Sequence, residues 1–367
     1  KPNFSCNTIH NYILIMLGGN KLSFSHVALT VGLVLLATMV GSSVKQKFAN
    51  QEEKDDYEMV KKYLLNDNIL YGRNRPKIWI HSKYEVNARK WKNFMSRNSK
   101  DLNQPYLYLT VQSIINHCGD DFHICLIDDE SFEKLIPTWT IDLSTVPEPM
   151  RSRYRQNALL QLVYIYGGMI VPNSFLCLQS LLPIYKQGVS EKTPFMGEEL
   201  VRLPNTPQSK PFLPGLQFMG AAKEDPLVEK LIGYLQSLEE KQHFQNETEF
   251  NYQIHRWCNT QRENGFIRCV EGHIIGTKNT IGKPIILDDL MSEEYLDLED
   301  NSLHGIIIPS AELLRRPKYQ YFSILPVDDV LSTNCVLTKY FQISMSKLKS
   351  SNTNSLFNNN HKSIVSI

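Results

Sequence analysis

The chain lacks the short signatures that usually betray a chemistry. It has no glycine-rich phosphate loop ending in Gly-Lys-Ser/Thr, no nucleophile elbow, no His-Glu-x-x-His and no Gly-x-Gly-x-x-Gly. Its seven cysteines (Cys6, Cys118, Cys125, Cys177, Cys258, Cys269, Cys335) form no Cys-x-x-Cys pair, which argues against a zinc site. Their odd number argues against a full disulfide framework. Several lie in apolar runs, Cys125 in "FHICLI" and Cys177 in "SFLCL", as reduced core cysteines do. Net charge is nearly absent too: +1 across 367 residues gives no global electrostatic reason to expect nucleic acid or an acidic polymer as partner. No internal repeat is visible.

A different absence is informative near the start. Residues 22–44, "LSFSHVALTVGLVLLATMVGSSV", contain no Asp, Glu, Lys or Arg. At ~1.5 Å per residue such a helix crosses a hydrocarbon core about 30 Å thick. A cleaved signal peptide has a shorter apolar region nearer the N-terminus, and a buried soluble helix rarely lacks a polar face for so long. The expectation is a single transmembrane anchor, preceded by an N-terminal segment (1–21). Lys45, Lys47, Lys54, Lys61 and Lys62 follow the span, against Lys1 and Lys21 before it, which favours a cytosol-facing C-terminal part. Sequons at Asn3 and Asn246 would be used only on the lumenal side. Residues 45–74 are charged with helical spacing and read as a stalk.

What is present from residue 75 onward is the alternation of a helix-covered sheet. "PKIWIH" reads as a buried strand, 105–117 as a helix with Pro105 in its first turn, and "FHICLIDDE" as a second strand ending on acids. A helix over about 150–166 then meets Gly167–Gly168 and a "MIV" strand. This pattern predicts an α/β domain over 75–347 with a parallel or mixed sheet flanked by helices. Further helices are expected at 225–241, 246–258 and 331–347, and short strands near 217–220, 283–287 and 305–308. The Ser/Asn-rich tail, 348–367, has too little apolar content to fold alone.

Ligands of such sheets bind beyond the carboxyl ends of the strands. That singles out Ile80, His81, Asp128, Asp129 and Pro172–Ser174. Asp128 and Asp129 read either as metal ligands or as an acidic strand end capping a helix at Ser131. Their side chains diverge if the strand continues. His81 reads as a base or as a packed, capping histidine. Arg151, Arg153 and Arg155 could hold phosphate, or could be a solvated helix start. Asp288–Asp289 and Asp328–Asp329 each precede an expected helix, where N-terminal charge accounts for them.

The stretches "RPKIWIH", "DFHICLIDD" and "ALLQLVYIYGGMIVPNSFLCLQSL" together resemble the DXD-type sugar transferases related to capsular polysaccharide synthesis proteins, over roughly residues 75–180. The resemblance implies the GT-A fold of nucleotide-diphosphate-sugar transferases. "LNQPYLYLTVQSII" and "GGMIVPNSFLC" look most like membrane-anchored members encoded by large DNA viruses. In that family a helix Asp-x-x-Arg-Tyr-x-x-Leu-Tyr-x-x-Gly-Gly precedes a strand ending Asp-x-Asp. Matched on Gly167–Gly168, Tyr164 fits the second aromatic position, but the helix Asp falls on Gln156 and the Arg on Leu159. The paired aspartates fall on Pro172 and Ser174, with Asn173 between. A sugar–diphosphate bond breaks to a highly charged leaving group that a carboxylate-held Mg²⁺ or Mn²⁺ normally neutralises. The losses therefore imply a degenerate enzyme serving as a structural or interaction component of a virion membrane or minor capsid layer, with the bilayer and other virion proteins as partners, no nucleic acid and no cofactor. The alternative is an active transferase, metal-free or with a non-standard site for Mn²⁺ or Mg²⁺.

Overall fold

The computed structural model describes residues 75–82 and 104–346, apart from 138, 191, 202–211, 241–246, 295, 297 and 299–301. The expected anchor, stalk and tail lie outside these residues. Among the described residues, no helix is long and apolar enough to cross a membrane.

The main sheet is mixed, in the order β2-β1-β3-β6-β5-β7. Strand β1 (Lys77–His81) lies parallel to both β2 (His123–Ile127) and β3 (Gly168–Ile170). The three carboxyl ends thus share one side. Strand β6 (Phe212–Ala221) runs antiparallel to β3 and to β5 (Phe195–Leu200), and β7 (Arg268–Val270) closes the far edge parallel to β5. A second, two-stranded antiparallel sheet joins β4 (Phe175–Cys177) to β8 (Gly305–Ile307). The near-continuous burial of β1 and β2 reflects a sheet with both faces covered.

Helix α1 (Tyr106–Cys118) and the short α2 (Ser131–Leu135) flank β2 in sequence, and α3 (Met150–Tyr166) leads into β3. After α4 (Leu182–Ser190) come α5 (Pro226–Glu240) and α6 (Glu247–Glu263). The start of α5 is written locally: Pro226 opens it, and Asp225 Oδ1 accepts the Leu227 and Val228 N–H groups at 2.8 and 3.2 Å. Its buried face, Val228, Leu231, Leu235 and Leu238, follows the helical repeat. One core, including Trp79, Leu160, Met219 and Leu235, gathers around the main sheet with α3, α5 and α6. A second core, including Tyr106, Leu176, Ile306 and Phe341, surrounds the small sheet.

Two expected elements differ. The strand near 283–287 is reduced to a single antiparallel bridge, Lys278 with Pro284: Ile285 N–H donates to Thr277 O and Asn279 N–H to Lys283 O across a narrow turn about Gly282. Pro284 offers no N–H, and Asp289 Oδ2 accepts the Ile286 N–H at 3.0 Å, starting helix α7 (Leu287–Leu290) instead. The helix over 331–347 is two helices. Helix α8 (Ser310–Arg315) is followed by α9 (Val327–Ser332), and α10 spans 336–346. Ser332 and Thr333 end α9 by donating their hydroxyls to the carbonyls of Asp328 and Asp329, and Thr333 itself is extended.

Gly167 and Gly168 are required by the backbone. Gly167 ends α3 at φ 70° and Gly168 sits at φ 104°, both disfavoured for other residues. A Cβ on Gly168 would lie 2.4 Å from the Lys77 carbonyl oxygen of the neighbouring strand. Trp79 Nε1 donates to the Gly167 carbonyl at 3.0 Å, pinning the same crossing.

Candidate functional site

The carboxyl ends of β1 and β2 meet the first turns of α3, and the polar groups there bond to one another. Arg155, buried on α3, donates from Nε to Asp129 Oδ1 at 2.9 Å and from Nη2 to Oδ2 at 2.7 Å. His81 Nε2 lies 2.9 Å from the same Oδ1, and the imidazole stacks on Phe132 with centroids 5.3 Å apart. Arg155 Nη1 also reaches Glu148 Oε1 at 3.4 Å. Burial works to raise the Asp129 pKa, but hydrogen bonds and charge from His81 and Arg155 outweigh it and hold the carboxyl well below the usual range.

Asp128 turns the other way. Its Oδ1 accepts the Ser131 N–H at 3.0 Å and the Ser131 hydroxyl at 2.7 Å, closing the turn into α2. The adjacent carboxylates therefore serve separate local structures and do not converge on a point between them.

Strand β3 stops at Ile170, short of the Pro-Asn-Ser stretch, although Val171 N–H still donates to the Trp79 carbonyl. Residues Pro172–Ser174 form the turn that carries the chain from the main sheet to the small one. Phe175 N–H donates to Pro172 O, Thr110 of α1 donates its hydroxyl to Asn173 O at 2.6 Å, and Ile308 N–H donates to Ser174 O. Ser174 is 4% exposed. The positions matched to metal-binding aspartates thus act through backbone geometry at a junction between sheets.

The three arginines disperse. Arg153, also buried, donates to Glu247 Oε2 at 3.2 Å, lies over the Phe250 ring and lines a surface groove with Tyr154 and Glu239. Arg151 Nε donates to the Val146 carbonyl at 2.8 Å. Only Arg155 is brought to His81 and Asp129. On α3, Gln156 and Leu159 are half-buried, and Leu159 packs against the main core. Ile80 is fully buried in the sheet. Among the described residues, no group of three or more His, Cys, Asp and Glu side chains is arranged to hold a metal ion. The donors near the strand ends fit Mg²⁺ or Mn²⁺ poorly: Ser174 and Asn173 are neutral, Asp129 is bound to Arg155, and Asp128 faces Ser131 in a separate turn.

Glu148, Phe132 and Thr110 belong to this site and were not singled out from the sequence. Thr110 carried a signal, being a hydroxyl within the apolar run "LYLTV". Glu148 and Phe132 carried none. Two further hydroxyls stand out: Ser82 Oγ, just past β1, and Tyr106 OH, at the start of α1, are buried and have no hydrogen-bond partner among the described residues.

No protein-family model matches the sequence, and no curated protein matches it. Solved structures that align with it include the apo-form glycosyltransferase GlyE of Streptococcus pneumoniae, at 10% identity and TM-score 0.31, over 54% of this chain and 46% of that one. The galactosyltransferase LgtC, in complex with donor and acceptor sugar analogues, aligns at 10% identity and TM-score 0.30, over 54% and 74% of the two chains. Mouse xyloside xylosyltransferase 1 aligns at 9% identity and TM-score 0.32, over 54% and 86%. The chain spans less than half the length of the pneumococcal enzyme with which it aligns.

Proposed function

We propose that this chain is a GT-A-like domain that has lost donor-sugar chemistry and serves as an interaction component at a membrane. The likeness of residues 75–180 to the sugar transferases supplies the scaffold. The observation that carries the loss is the two-point grip of Arg155 on Asp129. To ligate a divalent cation, Asp129 would have to exchange a compact, part-buried ion pair for the metal, and the carboxylate nearest that pair, Glu148, is on the same guanidinium. Asp128 is committed to Ser131, and Pro172 and Ser174 replace the paired aspartates.

In this reading residues 22–44 are the anchor and 45–74 the stalk. The expected partners are the bilayer and, on the resemblance to proteins of large DNA viruses, other virion or capsid proteins.

A second reading, retained nucleotide-sugar binding, draws on the Ser82 and Tyr106 hydroxyls, which have no partner among the described residues and which a bound polar ligand would satisfy. Calorimetric titration of the folded full-length chain with UDP- and GDP-sugars, with and without Mn²⁺, separates the two. The proposed function expects no binding in either condition. Micromolar binding that needs Mn²⁺ would overturn it, and metal-independent binding would favour the second reading.

A further inference from the structure

Away from the strand ends, the carboxyl end of α1 meets the end of β4, and there two thiols touch. Cys118 Sγ and Cys177 Sγ are 3.8 Å apart, and both residues are fully buried. The backbone around them is tied from several directions. Cys177 N–H donates to the hydroxyl oxygen of Ser113, on the same helix as Cys118, at 2.8 Å. The Cys177 carbonyl accepts the Ser344 hydroxyl of α10 at 2.7 Å, and His117 Nε2 lies 3.2 Å from that hydroxyl. Helix and strand are therefore held side by side with the sulfurs facing each other. By contrast, the sulfurs of Cys125 and Cys335 contact oxygen atoms, His123 O at 3.8 Å and Thr338 Oγ1 at 3.3 Å.

Both thiols are free in this structure, as expected of Cys177 from its apolar run; we propose that under oxidising conditions they are a modification site, closing to an intradomain disulfide by exchange with a small-molecule or protein disulfide. A disulfide needs its sulfurs about 2.05 Å apart with a specific torsion, so side-chain rotation must bring them together from contact. One cysteine, as thiolate, attacks the donor's S–S bond, forms a mixed disulfide and releases one donor thiolate. The second cysteine attacks the protein sulfur of that intermediate and expels the other donor thiolate. Two protein S–H bonds and one donor S–S bond are lost; one protein S–S bond and two donor thiols are gained. Two electrons pass from protein to donor.

Burial sets when this happens. It pushes the Cys177 thiol well up, and the thiol donates to the Gln179 carbonyl at 3.1 Å, so the closed native pair exchanges slowly. Exchange proceeds during folding, or when the α1–β4 contact opens. The bond would close a chain segment spanning a sequence separation of 59 residues, long enough to restrict the unfolded ensemble substantially.

The test refolds the reduced full-length chain in a mixture of glutathione and glutathione disulfide, blocks free thiols by alkylation and maps the peptides by mass spectrometry. The expected result is a dominant Cys118–Cys177 linkage and a thermal midpoint several degrees above that of the dithiothreitol-treated protein. That rise is absent in Cys118→Ser and kept in Cys125→Ser. Recovery of both cysteines alkylated in the wild-type chain, or pairing of either with other cysteines as often as with each other, would overturn the proposal whether or not the variants fold.

Discussion

Arg155 holds Asp129 through two parallel hydrogen bonds, with His81 on the oxygen that Nε shares. Bidentate guanidinium–carboxylate pairs are strong because both partners are planar and charged. Removing one partner strands the other in a poorly hydrated site. Arg155→Met should cost roughly 2–4 kcal/mol, below the ~3–5 kcal/mol of a fully buried pair because Asp129 is part-exposed. Arg155→Met with Asp129→Asn should recover part of that loss, read as a coupling energy from urea denaturation of the four proteins.

The same pair makes stability depend on pH. The folded pKa of Asp129 is lowered, so its contribution is fully present above the unfolded value, ~3.9, and is lost as pH falls through the lower folded value. The urea midpoint of the wild type should exceed that of Asp129→Asn clearly at pH 6. The gap should narrow progressively as pH drops beneath about 4. A gap that is constant down to pH 2 would show that the carboxylate's charge contributes nothing.

Glu199 behaves with the opposite sign. Burial raises its pKa, against the pull of His255 Nε2 at 3.8 Å and the Gln217 N–H donated at 2.8 Å. Its contribution is present below the unfolded pKa and lost as pH rises through the folded one. Glu199→Gln keeps an oxygen to accept the Gln217 N–H and removes the charge. It should be more stable than wild type at pH 7–8, with the difference closing toward pH 4 in thermal denaturation.

Two glycines should respond in opposite directions to alanine. At Gly168 the new Cβ meets the Lys77 carbonyl at a positive φ, so Gly168→Ala should cost more than ~3 kcal/mol or prevent folding. At Gly233, inside α5, a Cβ meets nothing within 4 Å, and Gly233→Ala should gain ~0.5–1 kcal/mol. Denaturant midpoints of the two variants check both.

Placing aspartates at the two positions matched to the sugar-transferase motif should not create a metal site. Pro172→Asp with Ser174→Asp places a carboxylate where Ser174 is buried and leaves Asp129 bound to Arg155. The expected outcome is a loss of at least ~2 kcal/mol of stability. Electron paramagnetic resonance should show no Mn²⁺ binding beyond wild type.

Much of the sheet was legible because its information is local. The run "KIWIH", the apolar "HICLI" and the helix ending on Gly167–Gly168 each carry their own periodicity and punctuation, and they appear as β1, β2 and the α3–β3 passage. The strand expected near 283–287 does not form: "KPIIL" has strand composition, but an Asp289 carboxylate two residues on caps a helix start. The partnership of Asp129 with Arg155 was not legible at all. The two are 26 residues apart, with no periodicity linking them, and meet only because parallel strands put β2's end beside α3.

By itself the sequence determined the order of the strands and helices around the glycine pair, and that the strand after it runs into Pro172, Asn173 and Ser174, since residue identity and short-range pattern are written in the chain. Only the tertiary structure decided that Asp128 closes a turn, that Asp129 is held by an arginine and a histidine, that the other two arginines point elsewhere, and that Cys118 and Cys177 touch. Those are pairings across tens of residues, chosen by which elements pack together, and no local rule specifies them.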